Sequence, residues 1–418
     1  MSELGSRIKK IRKEKKMTLA ELAGERLSKG MLSLIENGKA QPSMESLHYI
    51  AEQLNVEVSL LLNDSKIEEV RALLLEVEEE YSNIRKKSLN LSGNPDIVQI
   101  LEKIESVQDH LFGNNYEEIR LLDLKIRLTL FINENEFHSE EMYKVIDLYE
   151  KIHAYSRMVN CYTFLSTYAF TQKDYIIALQ FMQQAETRIE PFVHLVDHLS
   201  KLDMHYLLTV LYAAVDNVSK TEKHLKIALE ISQSNKIYYR LDDFYRFMLV
   251  QSMGRHDLEK SEYYITKLKL HAEFTEDFIS QYTTLCCEAF YSNLIEKDYQ
   301  KTIRIAKKAK EFILQHSEVL TYLLDYIVAE EIYALWALGL YNEAIDKSQN
   351  FKVSTTVHHP YDIATMYKCF AVRALCYEEL GDKEAAKRDI LYASNGVNGF
   401  PKTIDKSFID EAYKKIIY

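Results

Sequence analysis

Helix breakers are scarce in this chain. It has 5 prolines and 11 glycines in 418 residues, and four of the glycines (Gly5, Gly24, Gly30 and Gly38) fall within the first 38 positions. A chain so poor in breakers makes long helices with short connections. Tryptophan is nearly absent, with Trp336 alone against 29 tyrosines and 17 phenylalanines. Tyr has an apolar body and a polar tip, which suits helix packing and also a peptide-binding groove. The 5 cysteines (Cys161, Cys286, Cys287, Cys369 and Cys376) are odd in number and contain no C-x-x-C pair, so neither zinc nor thioredoxin-like redox chemistry is indicated. With no signal-peptide pattern and no run of 18 apolar residues, the expectation is a cytoplasmic protein with free thiols and no membrane partner.

Signatures of ordinary enzymes are also missing: there is no G-x-G-x-x-G, P-loop, G-x-S-x-G or H-E-x-x-H. No cofactor or metal is implied. The only adjacent histidine pair, His358-His359-Pro360, reads as a loop before a helix. Charge is unevenly shared. The net charge is −11, yet residues 1–65 carry ten Lys/Arg and nine Asp/Glu, which leaves −12 for the remainder. So acidic a body repels nucleic acid, and any contact with DNA belongs to the N-terminal segment.

Leu4, Ile8 and Ile11 form one apolar stripe on a basic first helix. Thr18-Leu-Ala-Glu21 is a capping box that starts a second helix, bearing Leu22 and Ala23. Ser28 caps a third helix, Lys29 to Glu36, which stops at Asn37-Gly38. Pro42-Ser43 opens a fourth with Leu47, Ile50, Ala51 and Leu54 inward, and a fifth is expected at Val58–Leu62. Short helices with a tight connection between the second and third make a helix-turn-helix layout.

The stretch LSKGMLSLIENGKAQPS carries a specific likeness: residues 1–63 resemble the DNA-binding domain shared by phage repressors and the Xre-like regulators. The resemblance implies that the third helix enters the major groove of double-stranded DNA, with Ser28, Lys29, Gly30, Met31 and Ser33 nearest the base edges. Thr18 and Lys39 would then hold phosphates. The third helix lacks Arg, Gln or Asn, and Leu34 replaces a commonly polar residue, so modest specificity per half-site is expected, helped by DNA shape and dimerisation. A helical bundle that does not touch DNA is the alternative.

Ser65-Lys-Ile-Glu68 is a further capping box, opening a long helix over 64–90 with the stripe Ile67, Val70, Leu74, Val77, Tyr81 and Ile84. Its EVEEEY run reads as a solvated face. From 91 to 418 the chain repeats. Ala185, Ala228, Leu268, Ala309, Phe351 and Ala393 follow one another at 43, 40, 41, 42 and 42 residues, with turn signals such as KDY, GLY and GDK in phase. This is tetratricopeptide-like spacing with longer helices. Earlier copies are expected near Glu136–Leu148 and Asn94–Val107, and Ser407–Ile417 reads as a terminal cap. The fold class is therefore all-α: a helix-turn-helix head on a right-handed helical-repeat solenoid.

The first helix of each pair lines the inner surface of such a solenoid. That places Asn160, Thr163, Thr167 and Phe170, then Asp203 and Tyr206, then Asp243 and Arg246, then Tyr291 on one wall, with Arg127 at the rim. Mixed Asn, Asp, Arg and Tyr suit a short extended peptide. Head and body together resemble the peptide-pheromone receptors of Gram-positive bacteria grouped as RRNPP, and the length favours the NprR type. The resemblance implies a quorum-sensing regulator, a homodimer or tetramer, whose DNA-binding heads answer to an imported signalling peptide. It also raises a second partner, a response regulator of the kind that drives sporulation, whose aspartyl phosphate such proteins can help to remove. Gln99 and Gln108 are the only glutamines in the helical stretch from 66 to 135. A repeat scaffold without a small ligand remains the third reading.

Overall fold

A computed structural model describes residues 3–56, 58, 61, 65–87, 94–132, 139–316 and 323–418. The described residues are helices and their connections, with no strand among them, and they divide into two compact units, Met1–His153 and Ala154–Tyr418.

The first unit begins with α1 (Glu3–Glu14), α2 (Leu19–Ala23), α3 (Lys29–Glu36) and α4 (Met44–Gln53). The expected caps are present. Thr18 Oγ1 accepts from the Glu21 amide while Glu21 accepts from that of Thr18, and Ser28 and Ser43 each cap their helix. Ile8, Leu22, Leu32, Ile35, Leu47, Ile50 and Leu54 form a closed core, with Leu4 and Ile11 half-buried beside it. Gly5 lets α1 sit against the end of α3, because a Cβ there would lie 2.1 Å from the Ile35 carbonyl oxygen. The expected fifth helix, at Val58–Leu62, falls largely outside the described residues.

α5 (Ser65–Lys87), α6 (Pro95–Ser106), α7 (Tyr116–Ile132) and α8 (Ser139–Lys151) complete this unit. Val70, Leu74, Val77 and Ile84 of the expected stripe are buried, while Ile67 lies outside the described side chains. The EVEEEY run does more than face solvent. Glu76 and Glu80 accept from Lys103 at 2.7 and 2.6 Å, and Glu78 pairs with the largely buried Arg120 at 2.6 Å, so the run ties α5 to α6 and α7.

The second unit is a series of helix pairs: α9 (Tyr155–Thr171) with α10 (Tyr175–Ile189), α11 (His198–Ala214) with α12 (Val218–Asn235), and α13 (Leu241–Gly254) with α14 (Leu258–Thr275). Then come α15 (Phe278–Tyr291) with α16 (Tyr299–His316), α17 (Leu324–Ala337) with the short α18 (Tyr341–Ser348), α19 (Pro360–Glu379) with α20 (Lys383–Gly396), and a final α21 (Ile404–Ile417). All six residues that mark the repeat are buried. Five lie in the second helix of a pair. The sixth, Phe351, falls just beyond α18, because that helix is only eight residues long.

The turn inside each pair has one recurrent geometry. Lys173, Asp216, His256, Lys297, Gly339 and Gly381 all have left-handed φ, between 55° and 85°. The next residue sends its amide back to the first helix, as in Asp174 to the Ala169 carbonyl at 3.0 Å and Asp382 to that of Tyr377 at 2.9 Å. In five of the six turns that next residue is Asp or Asn and its side chain caps the second helix, satisfying an otherwise orphaned amide.

α21 does more than cover the last pair. Its Asp405 lies 3.0 Å from the buried Lys368 on α19, whose ammonium also donates to Glu330 on α17 at 2.8 Å. Burial opposes the charge on Lys368, yet the two carboxylates hold its pKa above the ordinary lysine value.

Candidate nucleic-acid interface and candidate peptide groove

On the head, Ser28, Lys29, Gly30, Met31 and Leu34 are exposed, while Leu32 and Ile35 point into the core. This is what a helix produces when its apolar stripe is spent on packing and its N-terminal turn is left free. Ser28 Oγ accepts from the Met31 amide at 3.0 Å. A Cβ on Gly30 would meet only that hydroxyl oxygen, at 3.9 Å, so a partner surface can approach the backbone closely here. Ser33 is half-buried and engaged by Asn37, whereas Thr18 and Lys39 are exposed near the ends of α2 and α3.

What sequence reasoning missed is the ion pair beneath this surface. Arg12 of α1 grips Glu36 of α3 with two bonds, 2.6 and 2.9 Å, and donates a third to the Met17 carbonyl. The hydrogen bonds it donates to Glu36, set against the cost of burial, keep the Arg12 pKa above its ordinary value. Arg12 therefore serves the frame, although the basic count of α1 alone suggested only a charged surface.

In the second unit the first-helix wall is a connected polar and aromatic cluster. Arg240, just before α13, donates to Asp203 at 3.0 Å and to Asp243 at 3.1 Å, and it lies over the Tyr206 ring at 4.4 Å. Arg246 pairs with the other oxygen of Asp243, and Tyr206 meets Phe244 edge-on. Burial, reinforced by Asp243, pushes the Tyr206 hydroxyl pKa well above the phenol range. Asn160 accepts from Ser200 at 3.4 Å, Thr167 is exposed, and Thr163 Oγ1 is buried with no hydrogen-bond partner.

The chain's own segment at the start of α19 meets this wall. Tyr175 donates from its hydroxyl to the His358 carbonyl at 2.7 Å, and His359 Nε2 lies 3.2 Å from the Val210 carbonyl. Phe170 stands about 6 Å from both histidine rings, at 6.3 and 6.2 Å between centroids. His358-His359-Pro360 is thus the loop and cap of α19, with His359 Nδ1 accepting from the Tyr361 amide. Asp362, one turn on, lies within electrostatic reach of Arg246. Burial raises its carboxyl pKa, and His359 and Arg246 oppose the rise.

Two further expected residues have contacts of their own. Tyr291 packs with the cluster around Leu249 and Leu268, where burial, then Glu262 and Glu296, raise its hydroxyl pKa. Arg127 belongs to the first unit, where its Nε donates at 2.5 Å to the buried Asp123, which Arg120 and Tyr149 also contact. Burial works against an ionised Asp123, but the two arginines prevail and its pKa lies below the carboxylate range. Of the two glutamines, Gln99 is exposed on α6, and Gln108 accepts from Lys125 at 2.5 Å. Arg240 and Asp362 were missed because one lies in a turn and the other comes from a distant repeat.

Residues 8–61 match the helix-turn-helix family model, so the head is a helix-turn-helix domain. An immunity repressor protein of Bacillus phage phi105 is 28% identical over 120 residues, covering 26% of this chain and 83% of that one. Among solved structures, a Rap protein complexed with competence and sporulation factor is 14% identical at TM-score 0.49, covering 83% of this chain and 97% of that one. PlcR of Bacillus thuringiensis, in complex with a peptide and DNA, is 16% identical at TM-score 0.35, covering 71% and 99%. The described residues thus hold a helix-turn-helix head followed by a body of repeated helix pairs. Among the described residues no helix is long and apolar enough to cross a membrane.

Proposed function

We propose that this chain is a transcription regulator that reads double-stranded DNA with α3 and takes a short extended peptide on the first-helix wall of its second unit. The observation that carries the reading is the pairing of two surfaces: an exposed, glycine-opened N-terminal turn on α3, and a wall where Asp203, Tyr206, Asp243 and Arg246 are joined through Arg240. On DNA, Lys29 donates to guanine or phosphate. Met31 and Leu34, 46% and 43% exposed, offer apolar contact to thymine methyls in place of bidentate polar readout.

On the wall, the buried Thr163 hydroxyl and the Asp243–Arg246 pair are groups that a peptide backbone and a charged side chain satisfy. The segment before α19 borders the same space, so a peptide that enters displaces or reshapes its contacts with Tyr175 and Val210. Peptide occupancy then acts through its differential affinity for two arrangements of the repeats. The heads work as a pair in a homo-oligomer, because a domain of near-neutral charge gains affinity by holding two half-sites.

The test is selection of operator sequences by the full chain, followed by anisotropy binding with and without short peptides encoded beside the gene. A peptide that shifts operator affinity supports the reading. If the selected DNA binds equally well with every peptide, the peptide half of the proposal fails, and if no sequence is enriched the DNA half fails.

A further inference from the structure

Away from the inner wall, three consecutive helices bring together three groups that the proposed function does not use. Glu186 on α10, His205 on α11 and His224 on α12 each present one ligand atom, and these atoms all lie within 4.8 Å of one another. The two Nδ1 atoms face each other at 3.0 Å, and Glu186 Oε1 is 3.9 Å from that of His224. The rings stack at 5.2 Å, and Tyr212 stacks on His224 at 5.3 Å. Gln183 and Lys220 both donate to the Tyr212 hydroxyl, fixing that ring.

We infer that Glu186, His205 and His224 form a binding site for a divalent transition-metal ion of the zinc class, held by both Nδ1 atoms and one carboxylate oxygen, with water in the fourth position. Two imidazoles and a carboxylate are a donor set that suits zinc and disfavours magnesium or calcium, which take oxygen ligands. Tetrahedral zinc–nitrogen bonds of about 2.05 Å place two nitrogens about 3.3 Å apart, so the pair needs to open by only about 0.3 Å. Glu186 must come about half an ångström closer to His224, within the reach of a half-buried, flexible side chain.

The electrostatics support this geometry. Burial first, then His224 and Lys223 for His205 and Lys223 and Lys220 for His224, holds both rings neutral with pKa values down to about 4, so protons do not compete for the nitrogens at neutral pH. Burial also raises the Glu186 pKa, against the pull of Lys223 and Lys220, and a bound cation would reverse that cost. Lys220 and Lys223 oppose a cation by charge, but both are exposed, so solvent screens them. Without a metal, the facing nitrogens are satisfied only by sharing one proton as N–H···N. The shared proton and the metal exclude each other.

α10 ends one helix pair and α11 begins the next, so the ion would pin a junction between repeats. His205 adjoins Tyr206, which faces the inner wall, and a filled site would therefore stiffen that wall.

The experiment uses the full chain stripped with a chelator and titrated with zinc chloride, followed by calorimetry and by nitrogen-15 spectra of the histidine rings. The expected result is one equivalent of zinc per chain, with the Nδ1 resonances of His205 and His224 displaced and the saturating step lost in both His205→Gln and His224→Gln. The ring spectra of the unaltered chain give an answer even if a variant fails to fold. Rings that keep their shared-proton resonances at saturating zinc would overturn the proposal, as would the same stoichiometry in both variants.

Discussion

At the residue scale, the head separates the residues that hold its frame from those proposed to meet DNA. Lys29 and Gly30 contact nothing that the fold requires. Lys29→Ala is expected to leave the melting temperature unchanged, weaken operator binding and lower the slope of log affinity against log salt by about 1, as read in a salt titration. Gly30→Ala should also fold, because its Cβ meets only the Ser28 hydroxyl, at an ordinary 3.9 Å; it should lose affinity by holding the α3 backbone away from the groove. Glu36 is the opposite case. Its side chain is 3% exposed and it is the counter-charge of the buried Arg12. Glu36→Ala leaves that guanidinium unpaired, at an expected cost of about 3–5 kcal/mol. Chemical denaturation followed by signals from the head would measure it.

At the scale of the element, the repeating unit is defined by its turn. The left-handed positions follow the same spacing as the buried repeat residues, yet four of the six are Lys, Asp, Lys and His instead of Gly. A search for glycine therefore finds only the last two turns. Nothing lies within 4 Å of a Cβ at Gly339, so Gly339→Ala isolates the backbone effect. It should destabilise the second unit by about 1–2 kcal/mol, readable as a fall in melting temperature.

The contact before α19 has its own pH dependence. Burial holds the His358 pKa below its ordinary value, with Lys173 adding to the shift and a bond to the Thr171 backbone opposing it. Burial likewise lowers that of His359, with Asp362 and the Val210 carbonyl opposing. Charging His358 would also place a proton on a buried Nδ1 that has no acceptor. Because the folded values are depressed, this stabilisation is complete above the unfolded histidine pKa near 6.5 and is lost as pH falls through the folded values. Relative to an intrinsic exchange rate that itself slows with falling pH, the protection of the amides in residues 357–362 should therefore drop between pH 7 and pH 5, while that of the turns without histidine does not.

At the scale of the whole molecule, two compact units and an acidic body set the division of labour. Light scattering on the full chain, alone and with candidate peptides, should show a peptide-dependent change in mass. Asp243→Asn should reduce the response, because it removes the carboxylate shared by Arg240 and Arg246. A mass that never moves, with any peptide, would leave the body answering to a protein partner.

The sequence by itself determined the first helices of the head with their caps and the repeat of the body, since caps, apolar stripes and a 40–43-residue period are local chemistry that each segment carries alone. It also determined the buried face of the head and the exposed turn of α3, because a helix that spends its apolar stripe on a core can offer only the other side. Only the tertiary structure decided which groups meet. Arg240, Asp243 and Asp362 come from a turn and two distant helices; Arg12 and Glu36 come from α1 and α3, 24 residues apart; Glu186, His205 and His224 converge from three helices with no spacing motif. Side chains brought together by the packing of separate helices leave no periodic trace in any one of them, and at those junctions the candidate chemistry of this protein lies.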